Sequence, residues 1–370
     1  MNHLALTITT TAVFCLTGCG TTMGNDGTEV VRHERIDSVE LVRSGELRFT
    51  LDEETCPDFL ATYYDSRNGF FYFHNIINGY IERFHTDSTV KSPVRIKAPF
   101  RPWSMNVVSQ DSIYLLNVLE NNSIRLIDGQ GVKKASYSVD DDATIATGGQ
   151  GQPYVTPYGL VYSCNTLRED FCLAIVDTES GETTDKLLPF PEMYRNFYGS
   201  LLMTTPYTAY NSRQGTVVIG FPADNNIHVI DLATREITVH YARSKYAKEK
   251  LKPLRKGHGG LTVSNEEEIE YFREITSYGN MLYDPWNNVY YRIVEKSTPM
   301  PGVNLSNRAK KLAVMILDSS FRTIGESDIP DDASASFRYC LFVSPDGLNI
   351  QMLTGEDELA IATYSLKAKK

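Results

Sequence analysis

The sequence predicts an all-β protein, a six-bladed β-propeller with a short helical insertion, preceded by a lipoprotein signal peptide. Three observations support this prediction. A unit of about 50 residues, made of short strands joined by turns, recurs along the chain. Tyr (22) and Phe (16) are frequent, and Gly (25) and Pro (16) recur throughout, which is typical of aromatic strands joined by tight turns. A chain of 370 residues also exceeds what one hydrophobic core usually supports, which predicts either two domains or a repeat architecture.

A shared third-strand signature in four of the units identifies the repeat. The segments IRLID, LAIVD and IHVID end at Asp128, Asp177 and Asp231, which are 49 and 54 residues apart, and AVMILD ends at Asp318. Counting outward from these strands predicts the following blades: Leu60–Ile96; Trp103–Val108, Ser112–Asn117, Ser123–Asp128 and Lys133–Val139; Tyr154–Thr156, Leu160–Cys164, Cys172–Asp177 and Thr183–Leu188; Leu201–Thr205, Thr216–Phe221, Ile227–Asp231 and Glu236–Ala242; Tyr278–Asp284, Val289–Val294, Leu312–Asp318 and Arg322–Ile329; and Phe337–Val343, Leu348–Met352 and Leu359–Leu366.

The last predicted blade has only three strands. Either Asp37–Val42 or Glu46–Leu51 is expected to supply the fourth strand and close the ring. Closure matters because an open ring leaves unpaired sheet edges that invite aggregation.

The stretch 243–274 interrupts the repeat and is predicted to be a helical insertion within the propeller domain, residues 36–370. Lys245–Lys256 is basic and is interpreted as a helix interrupted at Pro253. Ser264-Asn265 before three Glu residues resembles an N-cap with an acidic first turn, which predicts a helix over Glu266–Ile275. The insertion is either a solvated cover on one face of the ring or a docking element.

The amino terminus predicts membrane attachment. Leu4–Leu16 is too short to span a bilayer and fits the apolar part of an export signal, although no Lys or Arg precedes it. Leu16-Thr17-Gly18-Cys19 matches a lipobox, so residues 1–18 are expected to be removed and Cys19 to carry lipid. Residues 19–35 are predicted to be a flexible tether.

The net charge limits the possible partners, and the cysteine spacing leaves two interpretations open. The formal net charge of −10 argues against nucleic acid as a partner. Cys164 and Cys172 flank the connection Asn165–Phe171, so they either form a disulfide across a hairpin or remain two buried thiols.

The segment SYGNMLYDPWNNVYYRIVE (Ser277–Glu295), the closing phrase FVSPDGLNIQ (Phe342–Gln351) and the lipobox carry a family resemblance. The chain resembles a Bacteroidota lipoprotein family of unknown function with a six-bladed (TolB-like) β-propeller domain. This resemblance implies a propeller on the outer membrane of such a cell, and it carries no catalytic residues. Within YDPWNNVYYR, side chains packing between neighbouring blades are one interpretation, and an aromatic and guanidinium binding surface is the other.

No motif for a nucleophile, a phosphate-binding loop or a metal site occurs, so no metal and no cofactor are predicted. A ligand site shared by several blades is expected over the central channel, where the loops leading into the first strands converge. Two Arg among aromatic residues there would suit a carboxylate-bearing glycan or peptide. The residues predicted for this site are Arg101, Trp103, Gln152, Tyr154, Tyr198, Tyr278 and Arg338.

Two function classes follow from the sequence. The first is a non-catalytic binding or scaffolding module for a glycan, peptide or envelope protein, anchored to the outer membrane and facing the periplasm. The alternative is an envelope enzyme, a polysaccharide lyase or glycoside hydrolase, with its site over the channel. Hydrolysis of a glycosidic bond needs paired carboxylates, and the predicted loops contain none, which favours the binding module.

Overall fold

A computed structural model describes residues 20–23, 27–56, 59–86, 93–117, 123–138, 144–145, 152–165, 171–195, 197–198, 203, 205–256, 265–298, 310–331, 340–352, 354–355 and 357–369. The predicted signal peptide, residues 1–18, and Cys19 lie outside these residues, so cleavage and lipidation stay predictions. Within this part of the chain the fold is nearly all β, with one short α-helix, α1 (Asn265–Glu274).

The strands form successive antiparallel meanders, which we call units A to F. The first three units consist of the following strands: in A, β4 (Phe59–Asp65), β5 (Phe70–Asn75), β6 (Tyr80–His85) and β7 (Val94–Lys97); in B, β8 (Ser104–Ser109), β9 (Ser112–Asn117), β10 (Ser123–Ile127) and β11 (Lys133–Ser138); in C, β13 (Tyr154–Thr156), β14 (Gly159–Asn165), β15 (Leu173–Val176) and β16 (Thr183–Leu187), with β12 (Thr144–Ile145) pairing β14.

The remaining units follow the same plan, and short elements separate them. Their strands are: in D, β18 (Tyr207–Asn211), β19 (Thr216–Gly220), β20 (Asn226–Asp231) and β21 (Ile237–Tyr241); in E, β23 (Ser277–Asp284), β24 (Val289–Lys296), β25 (Lys311–Leu317) and β26 (Thr323–Asp328); in F, β27 (Leu341–Ser344), β28 (Gly347–Gln351), β29 (Glu358–Ala368) and the N-terminal β3 (Val39–Thr50). The separating elements are a 3₁₀ turn (Glu192–Arg195), β17 (Phe197–Tyr198) and β22 (Arg255–Lys256), which pairs β17.

The N-terminal strand β3 completes unit F. It pairs antiparallel with β29 from Val39, opposite Ala368, to Thr50, opposite Glu358. Both predicted segments therefore belong to one long strand. The expected pairing of the chain's beginning with its end is present.

Hydrophobic clusters lie between neighbouring units and join them in sequence. Separate clusters connect A with B, B with C, C with D, D with E and E with F, and another joins F back to A through Phe49, Phe71 and Phe342. The first strands of several neighbouring units also contact one another: β4 with β8, β18 with β23, β23 with β27, and β27 with β4. Sheets that pack face to face in a closed series with their first strands innermost are β-propeller-like.

The recurring Asp at the third strand has a local explanation. In each of these Asp residues, one carboxylate oxygen accepts hydrogen bonds from two backbone N–H groups of the turn into the fourth strand. The residues are Asp128, Asp177, Asp231 and Asp318. The same hydrogen bonds hold the pKa values of Asp128, Asp177 and Asp231 below the usual range. The repeat thus marks a turn that a carboxylate stabilises.

Two predicted elements differ in the structure. The first strand of unit D is Tyr207–Asn211, and the predicted Leu201–Thr205 lies partly outside the described residues. Pairing with β19 selects the later segment, and Gly215 supplies the positive φ of 69° that the connecting turn needs. Lys245–Lys256 is not helical. Its start is held instead by Glu326, which accepts hydrogen bonds from the Ser244 hydroxyl and the Lys245 backbone N–H.

The predicted tether is partly structured. Strand β1 (Gly20–Met23) pairs with β2 (Glu29–Arg32), and β2 adds in parallel to the outer strand β21 of unit D. Val30 is buried there, so at least this part of residues 19–35 belongs to the fold.

Candidate functional site

A cavity of about 220 Å³ lies among the first strands of units A, C, D, E and F. It sits towards the ends of β4 and β23 where the chain turns into the second strand of each unit. The residues lining it are Tyr63, Tyr64, Ser66, Gln152, Tyr154, Thr208, Ala209, Tyr210, Asn280, Met281, Leu282, Tyr283, Pro285, Trp286, Leu341, Phe342 and Val343.

Seven of these residues are aromatic, and four of them form ring pairs across units. The rings of Tyr64 and Phe342 stack with centroids 4.6 Å apart, which joins unit A to unit F. The rings of Tyr154 and Tyr210 lie 5.8 Å apart and join unit C to unit D. Contacts of this kind hold the walls of the cavity in place.

Hydrogen bonds position the polar lining residues. The Tyr154 hydroxyl donates to the Thr208 carbonyl oxygen at 2.8 Å, and the Gln152 amide nitrogen donates to the Thr62 carbonyl oxygen at 3.4 Å. Burial raises the pKa of Tyr63 to about 12, and it also raises the pKa values of Tyr154 and Tyr210. These hydroxyls therefore stay protonated and neutral at physiological pH.

A buried carboxylate positions Trp286 at the cavity. One oxygen of Asp284 accepts the backbone N–H groups of Trp286 and Asn287, each at 2.9 Å. The other oxygen accepts the Tyr291 hydroxyl at 2.9 Å. Pro285 fixes one backbone angle of the same turn. Trp286 is thus held on a rigid turn with 42% of its surface exposed.

The cavity lining carries no formal charge. Among the described residues that line it there is no Asp, Glu, His, Lys or Arg. Nor does the described part of the chain contain a group of three or more His, Cys, Asp or Glu side chains arranged to hold a metal ion. The lining therefore offers apolar faces and neutral hydrogen-bonding groups, without an ionised acid or base.

The structure brings two of the predicted ligand-binding residues, Gln152 and Tyr154, into this cavity. Arg101 is exposed, Trp103 is half-buried, and neither lines the cavity. Unit B, to which they lead, contributes no lining residue among those described. The prediction placed the site where the chain leads into the first strands. This holds for Gln152 and Tyr154 at the start of β13, whereas the lining residues of units A and E lie towards the opposite ends of β4 and β23.

Of the three other predicted residues, one is described in full and lies away from the cavity. Tyr278 is buried between units D and E, where its hydroxyl donates to Asn225 Oδ1 at 2.7 Å. Tyr198 belongs to the short strand β17, outside unit D, because the first strand of that unit begins at Tyr207. Arg338 lies outside the described residues.

Sequence reasoning missed the aromatic residues at the turn ends of the first strands. A tyrosine followed by a turn-forming Asp or Asn recurs there, as Tyr64-Asp65, Tyr210-Asn211 and Tyr283-Asp284. Each Asp or Asn accepts a turn N–H, and each preceding tyrosine lines the cavity. This repeated pair is the signal in the sequence that could have found the site.

The segment YDPWNNVYYR packs between neighbouring units, which is one of its two predicted roles, and the burial of Arg292 removes the guanidinium from the binding surface that was the other. Tyr290 packs towards unit D, where its hydroxyl accepts a hydrogen bond from Asn211 Nδ2 at 2.7 Å, and Tyr291 packs towards unit F. Arg292 is fully buried against unit D. These residues join neighbouring units, while Trp286 lines the cavity.

The two cysteines of unit C are buried thiols in this structure. Cys164 packs in the cluster between units B and C, whereas Cys172 packs in the cluster between units C and D. Their backbones are hydrogen-bonded at 2.9 Å, but their side chains belong to different cores. This arrangement matches the alternative of two buried thiols.

Comparison with known families identifies the family of this chain. The model of a domain of unknown function, DUF4221, matches residues 96–328. The chain belongs to the DUF4221 family. The crystal structure of a DUF4221 family member from Bacteroides vulgatus is similar to it with a TM-score of 0.74 and 19% sequence identity, over 90% of this chain and 100% of the other.

A second solved structure shares the fold of this DUF4221 chain more distantly. A candidate exported protein from Bacteroides fragilis aligns with a TM-score of 0.53 and 10% identity, over 90% of this chain and 96% of that protein. The comparison with curated proteins found no significant match. No helix in the described part of the chain has the length and apolar character to cross a bilayer.

Proposed function

We propose that this chain is a non-catalytic binding module, a six-bladed β-propeller that takes its ligand in the cavity among the first strands. The observation that supports this most directly is the convergence of five units on one uncharged, aromatic cavity. Sites of this kind, concave and apolar with a few polar groups, are typical of ligand binding. The partner is a glycan, a peptide or an envelope protein.

The six-blade count is supported by the clusters between units. A closed series of packed sheets needs a cluster between each neighbouring pair, including the last with the first. The cluster that contains Phe49, Phe71 and Phe342 fills this place between units F and A. The pairing of β3 with β29 supplies the strand that completes unit F.

Catalysis of glycosidic bond hydrolysis is less well supported. A glycoside hydrolase uses two carboxylates about 5–10 Å apart, one of them acting as a proton donor. The described lining residues contain neither Asp nor Glu, and the nearby Asp284 already accepts four hydrogen bonds. Binding without turnover is the function that these side chains favour.

Fluorescence provides a direct test, because the chain has only two tryptophans, Trp103 and Trp286. A Trp103→Phe variant leaves Trp286 as the sole reporter at the cavity. We would titrate it with neutral trisaccharides, trigalacturonic acid and capped tripeptides, and check each probe by mass spectrometry after incubation. A saturable change in emission with an unchanged probe mass supports the proposal. Cleavage of a probe, or no response to any class, contradicts it.

The proposed location is the outer membrane, on its periplasmic face, through lipid on Cys19. The lipobox at Leu16–Cys19 supports it, as does the exported character stated for the Bacteroides fragilis protein of similar fold. Expression in a Bacteroides host, followed by membrane fractionation and intact mass, tests it against a Cys19→Ser variant. An unacylated amino terminus in the parent chain would contradict the anchor, and protease cleavage on intact cells would contradict the periplasmic orientation.

A further inference from the structure

We infer that the cavity binds one uncharged sugar ring of a neutral glycan. This inference rests on the proposed binding function and names its ligand class. It departs from the carboxylate-bearing ligand that the sequence suggested, because Arg101 does not reach the cavity.

The uncharged lining disfavours an ionised ligand. Burying a carboxylate or phosphate without a partner of opposite charge carries a large desolvation cost. No described lining residue is charged, and burial keeps the Tyr63 and Tyr210 hydroxyls protonated. A neutral ligand avoids this cost.

The mixture of lining groups then favours a hydroxyl-rich ring over a purely apolar group. Trp286 and Tyr283 offer flat apolar faces that can cover the C–H face of a sugar ring. Gln152, Asn280 and Ser66 supply neutral donors and acceptors beside those faces. An apolar peptide side chain would cover the aromatic rings but make no use of these donors and acceptors, whereas the hydroxyls of a sugar can hydrogen-bond to them.

The size of the cavity limits the ligand to one small unit. Pockets for drug-sized molecules measure about 300–1,000 Å³. A cavity of about 220 Å³ is smaller, so it suits one ring of a longer chain while the rest of the glycan extends past the exposed Trp286.

Calorimetry on the full protein with cellotriose, mannotriose and triacetylchitotriose tests the inference, with trigalacturonic acid and an acetylated Gly-Phe-Gly amide as the competing classes. We expect at least one neutral trisaccharide to bind more tightly than both. Trp286→Ala should weaken that binding by about 10- to 100-fold through loss of the buried aromatic face, and Trp286→Phe should weaken it less. Gln152→Leu should weaken it by about 5- to 10-fold through loss of hydrogen bonding.

Gln130→Leu makes the same chemical change on an exposed turn of unit B and should leave the affinity unchanged. Circular dichroism melting shows whether each variant is folded. Binding of only the acidic trisaccharide or the peptide at Trp286 would overturn the inference and leave the proposed binding function standing. Neutral trisaccharide binding that is unaffected by both Trp286→Ala and Gln152→Leu would also overturn it. The failure of every probe class in the fluorescence titration above would instead contradict the binding function itself.

Discussion

The guanidinium carbon of Arg292 lies 3.5 Å from the centroid of the Tyr278 ring, and both side chains are enclosed between units D and E. The same guanidinium donates to the carbonyl oxygens of Asp224 at 2.6 Å and Ala242 at 3.0 Å. Burial raises the pKa of Tyr278 to about 12, so its hydroxyl stays neutral beside the cation. One arginine on β24 thereby satisfies backbone groups of the neighbouring unit.

Replacing Arg292 should therefore destabilise the fold strongly. Arg292→Met removes the donors to buried carbonyl oxygens and should lower the free energy of unfolding by about 2–5 kcal/mol. Arg292→Lys keeps a cation but loses the planar stack on Tyr278, so we expect a smaller loss than for Met. Urea denaturation measures both, with the exposed Arg213→Met as the control. Equal stability of the Met variant and the parent would show that the guanidinium contacts contribute little.

A buried charge pair bridged by a serine stabilises the region beyond α1. Lys310 Nζ donates to Ser277 Oγ at 3.0 Å, and Ser277 Oγ donates to Glu295 Oε2 at 3.3 Å. Lys310 also donates to the carbonyl oxygens of Phe272 and Ile275, each at 2.8 Å. Burial lowers the pKa of Lys310 to about 8, and burial raises the pKa of Glu295.

We expect the effects of Lys310→Met and Glu295→Gln on stability to be non-additive. Each single change leaves its partner buried without an opposite charge. The double variant should therefore lose less free energy of unfolding than the sum of the two single variants, by about 1 kcal/mol or more. A double-mutant cycle by urea denaturation measures this coupling. The exposed pair Lys311 and Asp331, with its N–O distance of 2.9 Å, is the matched control and should show coupling near zero. Additive losses at Lys310 and Glu295 would exclude the coupling.

Two stacked histidines are expected to make the fold sensitive to acid. The rings of His33 and His240 stack with centroids 5.6 Å apart. Burial, and then the charge of His33, lowers the pKa of His240 to about 4; burial also lowers the pKa of His33, which Asp318 and Arg322 flank. Between pH 6.5 and 4 the unfolded chain therefore binds more protons than the folded one, and stability falls as the pH falls through this window.

His240→Phe should reduce that loss. Phenylalanine keeps the contact with Phe321, whose ring centroid lies 4.7 Å from that of His240, but it cannot take up a proton. Between pH 7 and pH 4.5 the free energy of unfolding of the parent should fall by about 1 kcal/mol more than that of this variant. The expected difference is small because the His240 ring is partly exposed. Denaturant midpoints at the two pH values measure the difference, with His85→Phe as the control. Equal losses in the parent and His240→Phe would rule out this source of acid sensitivity.

Close backbone approach at Gly325 joins units E and F. Gly325 pairs in parallel with Val39, and a Cβ at position 325 would overlap the Val39 carbonyl oxygen. Gly325→Ala should therefore displace β3 and lower the free energy of unfolding by about 1–3 kcal/mol. Gly45 lies on β3, the strand that Gly325 pairs with, and a Cβ there would meet Thr363 Cβ at an ordinary 3.8 Å. Gly45→Ala is thus the matched control, and equal denaturation midpoints for the two variants would refute the close approach.

Much of the strand order could be predicted from local patterns. The Asp at the end of the third strand in units B, C, D and E and the alternation of apolar residues identify the meanders, because a carboxylate that caps a turn acts within a few residues. The acidic first turn after Asn265 likewise predicts α1. The predicted helix over Lys245–Lys256 is wrong because a contact distant in sequence fixes the start of this segment. Glu326, 81 residues further on, accepts the Lys245 backbone N–H.

By itself the sequence determined the all-β class, the repeated meanders and the pairing of an N-terminal strand with the last unit. These follow from turn chemistry and from the period-two alternation of strands, which are local. The tertiary structure alone decided which ends of the first strands enclose the cavity, and that Arg292 lies in a neighbouring core while Trp286 lines the cavity. Those outcomes depend on how whole sheets pack against one another, because the side chains that meet in the cavity come from positions more than 250 residues apart, such as Tyr64 and Phe342.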